Sequence, residues 1–227
     1  MELGRGWHFV LSSAMVLLVP PSQAQQGQPA SSGSSSSAPH GKTPAVVASR
    51  ADAGSIGQGS YRNPTFGFTC KIPAGWVLRT DEINAAPEAP AGPKAKEGSA
   101  GRVLLAAFSR PPQARGEDVN ASILIAAEST AAYPGLKDAA QYFGPVSEIA
   151  KAQDFEVANE PYEFAVGAKA LVRGDFQKDV ATRVMLQSTL VMLARGYAVS
   201  FTFIGGTEDE VEELIGGLSF GAGAKRP

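Results

Sequence analysis

Cys70 is the only cysteine of the 227-residue chain, and the two histidines are His8 and His40. From Gln58 onward there is therefore one thiol and no imidazole. Without histidine there is no Ser-His-Asp or Cys-His catalysis in that part of the chain. The common zinc sites, built from Cys and His ligands, are excluded as well. A single cysteine closes no intramolecular disulfide, so the fold rests on its core alone. Cys70 alternates with Phe66, Phe68 and Ile72. With no imidazole to lower its pKa, it reads as a buried, unreactive thiol. No catalytic, cofactor-binding or metal-ligating residue is assigned.

Other residues carry weaker chemistry. Glu208, Asp209, Glu210, Glu212 and Glu213 form an acidic run. It lacks the alternating oxygen ligands and turn glycine of a calcium loop. It reads instead as the first turns of a helix, where negative charge complements the macrodipole. Asn120-Ala121-Ser122 matches a glycosylation acceptor, whereas Pro64 excludes Asn63-Pro64-Thr65. Asp175 and Asp179 are expected to bracket a solvated turn, with Arg173 and Lys178 too few for a phosphate patch. Gly205-Gly206 ahead of a helix reads as a turn rather than an anion site.

The elements that hold these residues follow from periodicity. Phe66, Phe68, Cys70 and Ile72 alternate as a half-buried strand that Pro73-Ala74-Gly75 ends. Asp81 to Gly101, punctuated by Pro and Gly, reads as a long loop. Arg102–Ser109 and Ser122–Glu128 read as strands, the second apolar on both faces and so central in the sheet. Leu136, Ala139, Ala140 and Phe143 fall at helical spacing until Gly144-Pro145, after which Val146, Ile149 and Ala150 continue it. Strand patterns resume from Phe155. Ala181–Ala194 and Tyr197–Phe203 are joined by Arg195-Gly196, a hairpin signal. Thr207 and Glu210 then form a capping box ahead of Val211, Leu214, Ile215 and Leu218. Phe201 and Leu214 are expected in one core, with Trp76 covering a sheet end.

The N-terminus reads as an address. Arg5 precedes the apolar run Val10–Val19, then Pro20-Pro21, then Ser22-Gln23-Ala24, which predicts a signal peptide over 1–24. The run is short of the ~20 residues of a membrane span; an uncleaved anchor is the alternative. Residues 25–57, rich in Ser, Gln and Pro, predict a disordered linker. Residues 58–227 are the size of one domain. Without 1–24 the chain carries 19 basic and 21 acidic residues, against 20 and 22 in the whole. That balance argues against a nucleic-acid footprint.

The opening Tyr61-Arg62-Asn63-Pro64-Thr65-Phe66-Gly67-Phe68, then Ile72-Pro73-Ala74-Gly75-Trp76, and the closing Tyr197–Phe203, Thr207 helix and Leu218-Ser219-Phe220 resemble the PsbP-like superfamily. The resemblance spans about Tyr61 to Phe220. It implies an α+β fold, an antiparallel sheet between helical layers in an α/β/α sandwich. It also implies proteins that mostly bind or support other proteins, with no common catalytic site. The expected function is an exported, non-catalytic domain with a protein partner in the cell envelope. The alternative is a carrier of a small apolar ligand or lipid between sheet and helices. A hydrolase using carboxylates alone finds no paired Asp/Glu signal.

Overall fold

A computed structural model describes residues 51–85 and 101–221, save 115, 117 and 134. The predicted signal peptide, residues 25–50 of the linker and residues 86–100 of the expected loop lie outside the described residues. So does the tail from 222 onward.

The chain forms an antiparallel α+β fold. The strands are β1 (Ser55–Gly57), β2 (Ser60–Asn63), β3 (Phe68–Lys71) and β4 (Val77–Leu78), followed by helix α1 (Thr80–Ala85). Strands β5 (Arg102–Phe108) and β6 (Ser122–Ser129) lead to helix α2 (Phe143–Ala152). Then come β7 (Glu156–Val166), β8 (Lys169–Val180), β9 (Arg183–Ala194) and β10 (Tyr197–Gly205). Helix α3 (Glu208–Gly216) and β11 (Leu218–Phe220) close the fold.

Four expectations are corrected. The strands make two sheets, not one: β1-β2-β3-β11 and β4-β5-β6-β10-β9-β8-β7. The final strand leaves α3 and returns to β3, pairing Leu218 with Cys70, because α3 shares its core with the small sheet and ends beside β3, where Gly217 O accepts from Lys71 N. The expected linker ends too late, since β1 pairs with β2 and Ala51 is buried in the core. The expected loop begins too early, because Thr80–Ala85 is helical. Its Asn84 exchanges two hydrogen bonds with the Val103 backbone, at 2.8 and 3.1 Å, as a strand neighbour would. The last correction concerns Asp175 and Asp179, which lie within β8, not in a turn. The turn falls at Ala181-Thr182 beyond them.

The helical spacing from Leu136 resolves into a 3-10 turn, Ala139–Tyr142, followed by α2. Pro145 sits in the first turn of α2, where its missing N–H has no partner to lose.

Each face of the large sheet has its own cover. On one face Leu105, Ile123, Ile125, Leu190, Val199, Phe201 and Phe203 are fully buried beneath the small sheet and α3. The Phe68 ring of the small sheet meets Phe201 edge-on at 4.9 Å between centroids, a favoured aromatic geometry. Phe201, Leu214 and Cys70 share this core, and Trp76 packs against it. On the opposite face Tyr142, Phe143, Val146 and Ala150 cover Phe176, Val191 and Ile204. A smaller group, Ile83, Ala106, Phe108 and Leu124, lies under α1. Strand β6 lies third in its sheet, between β5 and β10, and is buried on both faces as its composition predicts.

Strand β7 is a long edge blunted against further pairing. It carries Pro161, three glutamates and two register irregularities, the devices by which exposed edges avoid adding strands.

Candidate functional site

Polar side chains converge in three places. The first is on the face under α3, where β8 and β9 carry Arg173, Asp175 and Ser188. Arg173 and Asp175 are two residues apart on one strand, so both point to the same face. Arg173 Nε donates to Asp175 Oδ1 at 2.7 Å, and NH1 pairs with Glu212 of α3 at 2.6 Å. NH2 donates to Ser188 Oγ at 3.0 Å. Tyr162 and Asn159 of β7 donate to the other Asp175 oxygen at 3.2 and 3.3 Å. The guanidinium also lies 5.0 Å from the Phe164 ring centroid. Burial opposes the Arg173 charge, but Asp175 and Glu212 overcome it and hold its pKa above the ordinary value. The phenol of Tyr162 is raised, by burial first and then by the Asp175 charge. This is a fully partnered network joining β7, β8, β9 and α3. Saturated in this way, it has no unpaired base or nucleophile to offer a substrate.

The second lies on the opposite face. Glu128, 4 % exposed, accepts hydrogen bonds from Tyr133 and Tyr142, each at 2.9 Å. Both phenols have raised pKa values, through burial first and then the Glu128 charge. The two buried carboxylates, Asp175 and Glu128, thus sit on opposite sides of the sheet, each with its own donors. They do not form an acid–base pair across a cleft.

The third is a cleft of about 300 Å³ between the edges of the two sheets. Ile56 of β1, Tyr61 of β2, Leu78 of β4, Arg79, Asp81 and Arg102 are among the residues that line it. Ile56 and Leu78 are 48 % and 42 % exposed. Arg79 NH1 is held by Glu82, while its buried Nε has no hydrogen-bond partner. Arg102 stands next to a register irregularity between Val103 and Leu105. Its charge is felt by the buried Tyr61 phenol, whose pKa is nonetheless raised, by burial above all.

The remaining sequence candidates take structural roles. Cys70 is fully buried, and burial pushes its thiol up to about 12. Asn120 is buried and pins a turn: its side-chain amide donates to Arg110 O, and its oxygen accepts from Ser109 Oγ at 2.9 Å. Its amide nitrogen is thus engaged rather than presented for glycosylation. Thr207 caps α3 by accepting from Glu210 N, and Glu210 accepts from Gly206 N at 2.7 Å. The cap therefore consumes the Gly206 N–H, which leaves Gly205-Gly206 no open anion nest. Glu212 goes to Arg173, and Glu208, Asp209 and Glu213 face solvent. Among the described residues, no group of three Cys, His, Asp or Glu side chains is placed to hold a metal. No helix among them is long and apolar enough to cross a membrane.

The sequence signals missed Glu128 and the cleft. A lone acid inside the apolar run Ser122–Ser129 is a usable signal for a buried, partnered carboxylate. Nothing in the sequence juxtaposes Ile56, Leu78 and Arg102.

The described residues define a class: an antiparallel α+β domain whose large sheet is covered on both faces and whose buried Asp175 and Glu128 are each hydrogen-bonded. No family model and no curated protein sequence matches the chain. Solved structures similar to it include the cyanobacterial PsbP (CyanoP) of Synechocystis sp. PCC 6803. The match has 16% identity over 74% of this chain and 96% of that one, with a TM-score of 0.41. The Saccharomyces cerevisiae Ran-binding protein Mog1p matches at 12% identity over 68% and 90%, with a TM-score of 0.39. LpqN of Mycobacterium tuberculosis, involved in cell envelope biogenesis, matches at 14% over 68% and 83%, with a TM-score of 0.34. These structures include members of the group that the opening and closing motifs resemble.

Proposed function

We propose that this chain is an exported, non-catalytic domain that binds a protein partner in the cell envelope. The observation that carries the reading is the closure of both faces of the large sheet. A carrier needs an apolar cavity between sheet and helices. Here that space is filled by Phe68, Phe201, Phe203 and Leu214 on one side and by Phe143, Val146 and Phe176 on the other. The two buried carboxylates, Asp175 and Glu128, are held by tyrosine, asparagine, serine and arginine donors, so neither is free for general acid–base work. What remains available is surface, and its exposed apolar residues Ile56 and Leu78 flank one cleft.

Export rests on the apolar run Val10–Val19 and on Ser22-Gln23-Ala24. The test places a photoreactive side chain at Leu78 and, as a control, at the equally exposed Val184, in the intact chain within its own cells. Crosslinking from Leu78 to one protein species, without the same adduct from Val184, is the expected result. Stoichiometric lipid retained in native mass spectrometry, with no protein adduct, would replace this reading by the carrier.

A further inference from the structure

The cleft between the sheet edges allows the partner to be described chemically, an inference that rests on the protein-binding reading above. Strands β1 and β2 are joined by the two residues Gln58-Gly59, both at positive φ. In such a hairpin the residues flanking the turn, here Gly57 and Ser60, exchange hydrogen bonds. The next pair outward does not. Ile56 and Tyr61 are that next pair, so the N–H and C=O of Ile56 point away from β2. Among the described residues β1 has no neighbour on that side. The cleft beside it takes apolar contact from Ile56 and Leu78. It also holds two guanidinium groups with donors to spare: Arg102, in no ion pair among the described residues, and Arg79, of which Glu82 engages only NH1.

A backbone pairing edge, an apolar wall and an arginine pair describe one ligand class. We infer that this cleft binds the C-terminal tail of a partner protein, its last residues extended along β1 and its terminal carboxylate held by Arg102 and Arg79. The length of the edge favours a terminus over an internal strand. Three residues and one outward-facing backbone pair support only a short augmentation, so an end-on anion contact must supply most of the hold. The volume also fits one or two side chains, at the lower end of ligand pockets. Asp81 at the rim and Glu82 on Arg79 disfavour a tail with further acidic residues, so the tail is apolar apart from its terminus.

The test is fluorescence anisotropy with the intact chain and two N-terminally labelled peptides of sequence Thr-Val-Thr-Val-Leu. One ends in a free carboxylate and the other in an amide. The acid is expected to bind saturably, and the amide about tenfold more weakly, as loss of a charge-assisted contact requires. Arg102→Gln, checked for an unchanged melting temperature, should bring the acid down to the amide and leave the amide unaffected. Leu78→Asp should weaken both. Equal binding of acid and amide, no binding of either, or an acid-to-amide ratio that survives Arg102→Gln would each overturn the inference. So would a dimer in sedimentation that the acid peptide fails to dissociate, which would assign the β1 edge to a second copy. If Leu78 still crosslinks to a protein while the acid peptide fails, the tail is wrong as occupant and the protein-binding reading stands.

Discussion

Arg173 lies against Asp175, two residues away on β8, with Nε donating to Oδ1 at 2.7 Å. The pair is buried, and Glu212 of α3 completes the guanidinium's partners at 2.6 Å. Removing one member of a buried pair strands the other, at about 3–5 kcal/mol in the limit of full burial. Here Ser188, Tyr162 and Asn159 retain Asp175, and Glu212 retains Arg173. Arg173→Met and Asp175→Leu are each expected to cost about 2–4 kcal/mol in denaturant unfolding, with the double variant at least ~1 kcal/mol below their sum. Additive losses would show that the two side chains are not coupled. Glu212→Gln, changing a carboxylate half in solvent, should cost under ~1 kcal/mol.

Gly174, between them, faces the other way, toward Phe143. A Cβ there would stand 2.6 Å from Phe143 Cε1. Gly174→Ala must push that ring out of the α2 core and should cost about 1–3 kcal/mol, the range for overpacking. Phe143→Leu in the same background should recover part of the loss, and a melting series would read it.

Phe201 and Leu214 share one core across the sheet–helix interface. Phe201→Ala should cost about 3–5 kcal/mol and Leu214→Ala about 2–5 kcal/mol. Urea midpoints left unchanged by both would contradict the packing.

The Cys70 thiol is raised from 9.0 to about 12 by burial. A group with a raised folded pKa favours folding fully below its unfolded pKa, and that contribution disappears as pH rises through the folded value. Stability should therefore fall between about pH 9 and 12, a slope that the raised tyrosines, Tyr142 above all, steepen. Cys70→Ala should flatten the onset of that fall. Iodoacetamide at pH 8 should leave the folded protein unlabelled and label it rapidly in denaturant.

Ala181 holds φ 54° at the turn between β8 and β9, a conformation that costs a side chain roughly 1 kcal/mol relative to glycine. Ala181→Gly should raise stability by about that amount in thermal melts.

Much of this fold was written locally. The strand through Phe68 and Cys70, the Arg195-Gly196 turn and the Thr207 cap each depend on neighbours in sequence, and the structure shows all three. The strand is shortened to Phe68–Lys71, with Phe66 in the turn before it, and the Glu210 carboxylate accepts from Gly206 N rather than closing a box on Thr207. The inert character of Cys70 followed from the alternation of that strand and from the missing imidazoles. Tertiary structure alone decided the rest, because it depends on which strand meets which. β11 pairs with β3 across ~150 residues, where the cost of closing the loop barely depends on its length and pattern says nothing of partners. In sequence Asp175 reads as a turn residue because it and Asp179 flank the short stretch Phe176-Gln177-Lys178. Only the register of β8 on β9, which brings Ser188 opposite it, shows it buried and paired. The cleft is the extreme case: Ile56, Leu78 and Arg102 belong to three strands in two sheets, and only packing the sheet edges together makes them neighbours.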